Sequence, residues 1–209
     1  MALTFAGQIL QGKTLGRVLF NAQVARYAPQ LAGRVLDLAG GGSYEALLPT
    51  GFEVVRTNVV PDKGVPVDFN KPLPYADDSF DFVLLFNALY IAEDPPALMR
   101  EIRRVLRSGG HVLIASPFLA NEMREPHDYV RFTSEGLLRL LHGARFTRIE
   151  LTPYGERFST AANLLHDVWL FPLLRLPIYA LACALDTIIP HKVHTLHPAP
   201  LGWFCVAEK

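Results

Sequence analysis

The sequence predicts an α/β protein: an open, doubly wound, mostly parallel sheet of seven strands. Three observations predict it. Short apolar runs closed by glycine or asparagine alternate along the chain with stretches of helical periodicity. One run, Phe82-Val83-Leu84-Leu85-Phe86, is apolar on both sides of the pleat, as a central parallel strand covered on both faces should be. The stretch 95–106 opens on Pro95-Pro96, sets Leu98, Ile102, Val105 and Leu106 on one face, and stops before Gly109-Gly110, which are start and stop signals of a helix.

In chain order, residues 8–30 read as a helix, because Leu15, Val18, Leu19, Ala22 and Ala25 recur at three- and four-residue steps. Strands are predicted at 34–38, 52–57, 64–68, 80–86, 110–115, 145–151 and 202–207. Helices are predicted at 43–49, 95–106 and 133–142, the last capped by Thr133 or Ser134. An open sheet of this kind binds ligands beyond the carboxyl ends of its strands, at the topological switch point. That rule selects four tips: 37–43, 58–59, 68–70 and 87–90.

With 209 residues, half of them hydrophobic, the chain suits a single domain, 1–209, with ample material for a core. Twenty basic and twenty acidic residues cancel, so no net field draws it to nucleic acid. Cys183 and Cys205 form no CxxC pair and imply no disulfide framework, so a reducing cytoplasm is expected. The N-terminal stretch has no basic leader followed by a long apolar core, so no signal peptide is expected.

The stretch Arg34-Val35-Leu36-Asp37-Leu38-Ala39-Gly40-Gly41-Gly42-Ser43 carries the most information. A short apolar run bears one acid and breaks into three glycines, whose missing Cβ lets backbone turn and approach a ligand. It lacks the Gly-Lys-Ser/Thr of a phosphate loop and the G-x-G-x-x-G of a dinucleotide-binding helix start. It resembles the first motif of the class I S-adenosylmethionine-dependent methyltransferases, in which the acid and the glycine turn hold the methionine end of the cofactor.

Further stretches resemble that family in the same order. Phe52-Glu53-Val54-Val55-Arg56-Thr57-Asn58 is similar to its second strand, with Asn58, and Val59 beside it, at the place that faces the ribose. Val67-Asp68-Phe69-Asn70 resembles its third strand, with Asp68 toward the adenine amino group and Phe69 beside the ring. Asp81-Phe82-Val83 followed by Asn87-Ala88-Leu89-Tyr90 resembles its fourth, with Asn87 and Tyr90 lining the methyl-transfer region. The run from Glu101 to Ile114, with Gly109-Gly110 in it, is similar to the helix, turn and fifth strand. The resemblance therefore implies a Rossmann-like methyltransferase fold, S-adenosylmethionine as cofactor, and a cofactor site of Asp37, Ala39, Gly40, Gly41, Asn58, Val59, Asp68, Phe69, Asn87 and Tyr90.

The chain departs from the family at three places: Ala39 and Ser43 replace glycines, and Asn58 replaces the ribose-binding acid. Asn58 still donates and accepts hydrogen bonds, but a neutral acceptor is about half as strong as an ionised one. Two readings follow: an active methyltransferase, or a non-catalytic binding protein on the same fold. A nucleotide-binding oxidoreductase fits the glycine spacing and Asn58 less well.

After the fifth strand, His127-Asp128-Tyr129-Val130-Arg131-Phe132 resembles a segment of methyltransferases associated with polysaccharide and cell-envelope synthesis. Its place in the chain puts it over the methyl group, with His127 or Asp128 as candidate base and a lid tie as the structural alternative. Before the last strand, residues 156–201 form an apolar insertion whose charge-free runs fall short of the roughly 18 residues of a spanning helix. Paired short helices fit it. They serve as a helical cap, a cover for a lipid-linked or other small-molecule acceptor, a homodimer contact, or a peripheral membrane contact through 160–195. His191, His194 and His197 match no established metal motif, and no metal site is expected.

Overall fold

The computed structural model describes residues 4–40, 42, 44–58, 65–124, 126–168 and 171–209. Gly41, Ser43 and Val59, all singled out above, lie outside them. A mixed sheet runs in the order β3-β2-β1-β4-β5-β7-β6. Its strands are β1 (Arg34–Asp37), β2 (Glu53–Asn58), β3 (Val65–Pro66), β4 (Phe80–Phe86), β5 (Leu106–Pro117), β6 (Thr147–Tyr154) and β7 (Gly202–Glu208). Six strands have four residues or more, and the expected strand at 64–68 shrinks to the two-residue edge strand β3. From β3 to β5 the pairings are parallel, while β7 enters between β5 and β6 antiparallel to both.

Side chains alternate across the pleat, and the alternation divides the core. Leu36, Leu38, Val83 and Leu85 point to one face, against α3 (Pro95–Val105) and α4 (Ser134–Gly143). Val35, Leu84 and Phe86 point to the other, against Phe20, Val24 and Tyr27 of α2 (Leu15–Tyr27). A strand with both faces covered must be apolar throughout, which is why β4 reads as a continuous run.

The helix expected at 8–30 is broken. α1 (Phe5–Leu10) is capped by Thr4 and ends at Gly12, whose φ of 84° is left-handed; Thr14 then accepts a hydrogen bond from the Arg17 N–H and starts α2. The helix expected at 43–49 is a single 3-10 turn, Glu45–Leu47. So short a stretch, closed by Pro49 and Gly51, cannot offset the cost of nucleating an α-helix. α3 begins as expected, with Asp94 accepting from the Ala97 N–H at 2.9 Å.

Between β6 and β7 lie α5 (Arg157–Leu164), a 3-10 turn at His166–Val168, α6 (Pro172–Asp186) and α7 (His191–Leu196). They do not stand apart. Tyr179 and Ala182 of α6 and Ala162 of α5 form a third apolar cluster with Ile9, Leu15 and Val18 of α1 and α2. The Asn163 side chain accepts from the Gly16 N–H at 2.7 Å, which ties α5 to the start of α2.

Candidate functional site

Asp37 ends β1 between Arg56 of β2 and Leu84 of β4, beside the point where the strand order reverses. It is fully buried. The Tyr44 hydroxyl lies 2.8 Å from each of its carboxylate oxygens. Burial pushes the Asp37 carboxyl up to about 6, against the Tyr44 hydroxyl and the Ala39 N–H, which favour its charge. Burial and the neighbouring Asp37 charge push the Tyr44 phenol up, so it stays a neutral donor. Phe20 and Phe86 meet the Tyr44 ring edge-on, with centroids at 5.9 and 5.0 Å, and fix it over the acid. Nothing in the sequence pattern marked Tyr44: a lone tyrosine after a glycine run has no signal of its own.

The turn after β1 is pinned by backbone. The Gly40 N–H donates to the Thr57 carbonyl at 3.0 Å, and Thr57 Oγ1 donates to the Asp37 carbonyl at 3.3 Å. Gly40 is not left-handed. Its use is space, since a Cβ there would lie 3.3 Å from Arg56 Cβ and 3.4 Å from Asp37 Oδ2. β2 closes at Asn58, the expected tip.

Asp68 is exposed and ionised. It accepts from the Asn70 N–H at 3.0 Å and pairs with Lys71 at 3.0 Å, both of which hold its carboxyl below the usual range. Phe69 is buried in the core. Both line a cavity of about 360 Å³ with Val67, Ile91, Glu93 and His127. His127 thus stands beside the residues expected at the adenine, where chain order had suggested a position over the methyl group. Its ring stacks on Tyr129, centroids 5.1 Å apart.

Asp128 turns elsewhere. It pairs with Arg131 and accepts from the Met123 N–H at 2.8 Å. The Arg131 guanidinium lies 5.0 Å over the ring of Tyr90, and its Nη1 is buried with no hydrogen-bond partner among the described residues. The Tyr129 N–H donates to the Tyr90 carbonyl at 2.9 Å. These contacts fasten the segment 126–132 to the tip of β4. A further cavity, about 260 Å³, opens along Ala120, Glu122 and residues 128–131.

Asn87 has a φ of 51°, and its N–H donates to the Ala115 carbonyl at 2.8 Å. Asparagine tolerates this left-handed backbone; a β-branched residue does not. Asn87→Val should cost about 1–3 kcal/mol in urea unfolding, and Asn87→Gly far less. Equal stability of the two variants would show that the turn is not held left-handed. Asn87 directly follows β4, the strand whose Leu84 pairs with Asp37, and Tyr90 lies in the 3-10 turn Leu89–Ile91 after it. The three histidines near the C-terminus gather no metal set among the described residues.

Residues 41–114 match the methyltransferase domain family. The malonyl-[acyl-carrier protein] O-methyltransferase of Halorhodospira halophila is 31% identical over 137 residues, 56% of this chain and 45% of that one. This chain therefore aligns with less than half the length of that curated relative. A SAM dependent methyltransferase from Archaeoglobus fulgidus superposes with a TM-score of 0.63 at 16% identity, over 97% of each chain. Phosphoethanolamine N-methyltransferase 2 of Haemonchus contortus, in complex with S-adenosyl-L-methionine, gives 0.57 at 17% identity, over all of this chain and 60% of that one. The fold is that of the class I S-adenosylmethionine-dependent methyltransferases.

Proposed function

We propose that this protein moves the methyl group of S-adenosylmethionine to a small acceptor held above the carboxyl ends of β1 and β4. One observation carries the reading: a fully buried carboxylate, Asp37, ends the strand at the switch point and is followed by a turn in which a Cβ at Gly40 would press on the Arg56 side chain and touch the acid. That suits close approach of a positively charged methionine end. Asp37 and the backbone of Ala39, Gly40 and Gly41 hold it, Asn58 and Val59 meet the ribose, and Asp68 with Phe69 meets the adenine in the cavity they line. Asn87 and Tyr90 border the reacting end. The cofactor supplies an electrophilic methyl on a sulfonium.

The chain's own work is alignment, which by itself can remove a large part of such a barrier. Asp128 is committed to Arg131, and His127 closes the nucleoside-side cavity, so neither is placed to take a proton without rearrangement. The buried Nη1 of Arg131, which has no partner among the described residues, offers a donor to an acceptor oxygen. A small oxygen acceptor, free or linked to a lipid or saccharide, accords with that donor, with the O-methyltransferase among the relatives and with the likeness of 127–132 to cell-envelope enzymes. We read residues 1–209 as one domain, with 156–201 inserted before the last strand, acting in the cytoplasm.

Titration calorimetry with S-adenosylmethionine tests this. Saturable binding supports it; no heat at millimolar cofactor would favour a non-catalytic binding protein on the same fold. Asn58→Asp should keep or tighten the affinity by up to roughly tenfold, because a charged acceptor suits two hydroxyls better. A clear loss would show that this tip does not read the ribose.

A further inference from the structure

Two arginines from distant parts of the chain reach the region above the carboxyl ends of β4, β5 and β6. Arg131 comes from the segment after β5, with its guanidinium 5.0 Å over the ring of Tyr90. Arg17 comes from the start of α2, with its guanidinium 5.5 Å over the ring of Phe20. Phe20 in turn meets Phe86, the last residue of β4, edge-on with centroids 5.4 Å apart. Tyr154 ends β6, and its hydroxyl lies so close over β7 that a Cβ at Gly202 would meet it at 2.4 Å. Burial pushes the phenols of Tyr90 and Tyr154 up, joined at Tyr90 by the Asp128 charge, and the positive charges of Arg17 and Arg131 oppose that push at both. Both cations therefore share one neighbourhood with both phenols.

The charges there do not balance. Asp128 takes one edge of Arg131 through Nη2, which also donates to the Asn121 carbonyl at 3.3 Å. Nη1 is left buried with no hydrogen-bond partner among the described residues. A buried N–H left unmade is costly, so the fork is built for a partner that arrives with a ligand. Arg17 forms no ion pair among the described residues. The other acids close by in chain or space are engaged: Asp37 by the Tyr44 hydroxyl, Glu45 by Arg56 at 3.6 Å, and Glu156 by Arg157 and His194. What remains beside Tyr90 and Tyr154 is one uncompensated positive charge and one unused guanidinium donor. A neutral hydroxyl would fill the donor and leave the charge. An oxyanion meets both, and charge-assisted hydrogen bonds to guanidinium are the strong ones.

We propose, resting on the reading of this chain as a methyltransferase of a small acceptor, that the acceptor carries an oxyanion, a carboxylate or a phosphate, held by Arg17 and by Nη1 of Arg131 beside Tyr90 and Tyr154. The test is calorimetric titration of the full chain, saturated with S-adenosylhomocysteine, with malonate and separately with inorganic phosphate. Sodium chloride at equal ionic strength is the blank. At least one oxyanion should bind saturably at millimolar concentration while chloride does not, and the one that binds tells carboxylate from phosphate. Arg17→Gln and Arg131→Lys should each weaken that binding at least about tenfold, the first by removing the charge, the second by keeping the charge and losing the fork. Arg17 is only half-buried, so its variant decides the matter even if the segment 126–132 does not tolerate a lysine. Affinity for S-adenosylhomocysteine should be the same in wild type and both variants. The idea is overturned if neither oxyanion binds, if chloride competes equally, or if the variants bind like the wild type. It is equally overturned if Arg17→Gln lowers the affinity for S-adenosylhomocysteine, because Arg17 then holds the cofactor's own carboxylate. Absence of any S-adenosylhomocysteine binding would instead remove the methyltransferase reading, and the same oxyanion titrations of the cofactor-free chain would still decide what the two arginines hold.

Discussion

Asp37→Asn is expected to stabilise the protein at neutral pH while weakening cofactor binding about tenfold or more. The two effects have one source. The Asp37 carboxyl titrates near 3.8 when exposed and at about 6 in the fold, because burial disfavours its charge. Between those values the native state holds more protons than the unfolded chain, so stability falls as pH rises from about 4 to about 6. The loss amounts to about 3 kcal/mol and persists above pH 6. Asparagine keeps an acceptor for the Tyr44 hydroxyl and carries no charge, so it should recover about 1–3 kcal/mol near pH 8 and nothing near pH 4. Urea unfolding across that range checks the sign; an asparagine variant less stable at pH 8 would show that Tyr44 needs the charge more than burial penalises it. For the cofactor the sign is opposite. A cationic methionine end favours the ionised acid, so wild-type affinity should decline as pH drops through about 6, and the asparagine variant should lack that decline. Unchanged affinity in folded Asp37→Asn and Asp37→Ala proteins would remove Asp37 from the cofactor site.

Tyr179→Ala should cost about 3–5 kcal/mol, the largest loss expected of a single substitution here. The side chain is fully buried among Ile9, Leu15, Val18, Ala162 and Ala182, and its hydroxyl meets His166 Nδ1 at 2.9 Å. Truncation removes a ring and leaves that histidine without its partner; burial already holds the His166 imidazole below its ordinary value. Amide exchange should accelerate across α1, α5 and α6 together, while β1, β4 and β5 keep their protection. Uniform acceleration over the whole sheet would mean that the helical layer is not a separate cooperative unit. The same cluster changes what removal of residues 160–195 should do. An α/β core that closed on itself would survive the cut. In the structure the cut strips the partners of Ile9, Leu15 and Val18, so α1 should melt with it.

Much of this was legible in the sequence because it is written in local period. β1, β4, β7 and α3 lie within about a residue of where alternation, apolar runs and the proline start put them, since side-chain direction repeats every two residues in a strand and every 3.6 in a helix. The order of the tips along the chain, with Asp37 and Asn58 ending their strands and Asn87 just past β4, follows from the same pattern, while Asp68 falls two residues beyond the shortened β3. The turn at 45–47 was misread as a helix because its few residues carry helix formers. The stretch is too short between the glycines and Pro49 to use them, and Tyr44 is held instead on Asp37 and against Phe20 and Phe86.

The α/β class, the parallel half of the sheet and the candidate acid at its switch point all follow from neighbours a few residues apart in the chain. The rest came from contacts between distant segments. These slotted β7 between β5 and β6, set His127 beside Asp68 and took Asp128 for Arg131. They also laid α6 on α1, with its other apolar face turned outward. Each of these joins residues whose meeting no local period encodes, because long-range pairing is chosen by total burial and hydrogen-bond satisfaction over the whole chain.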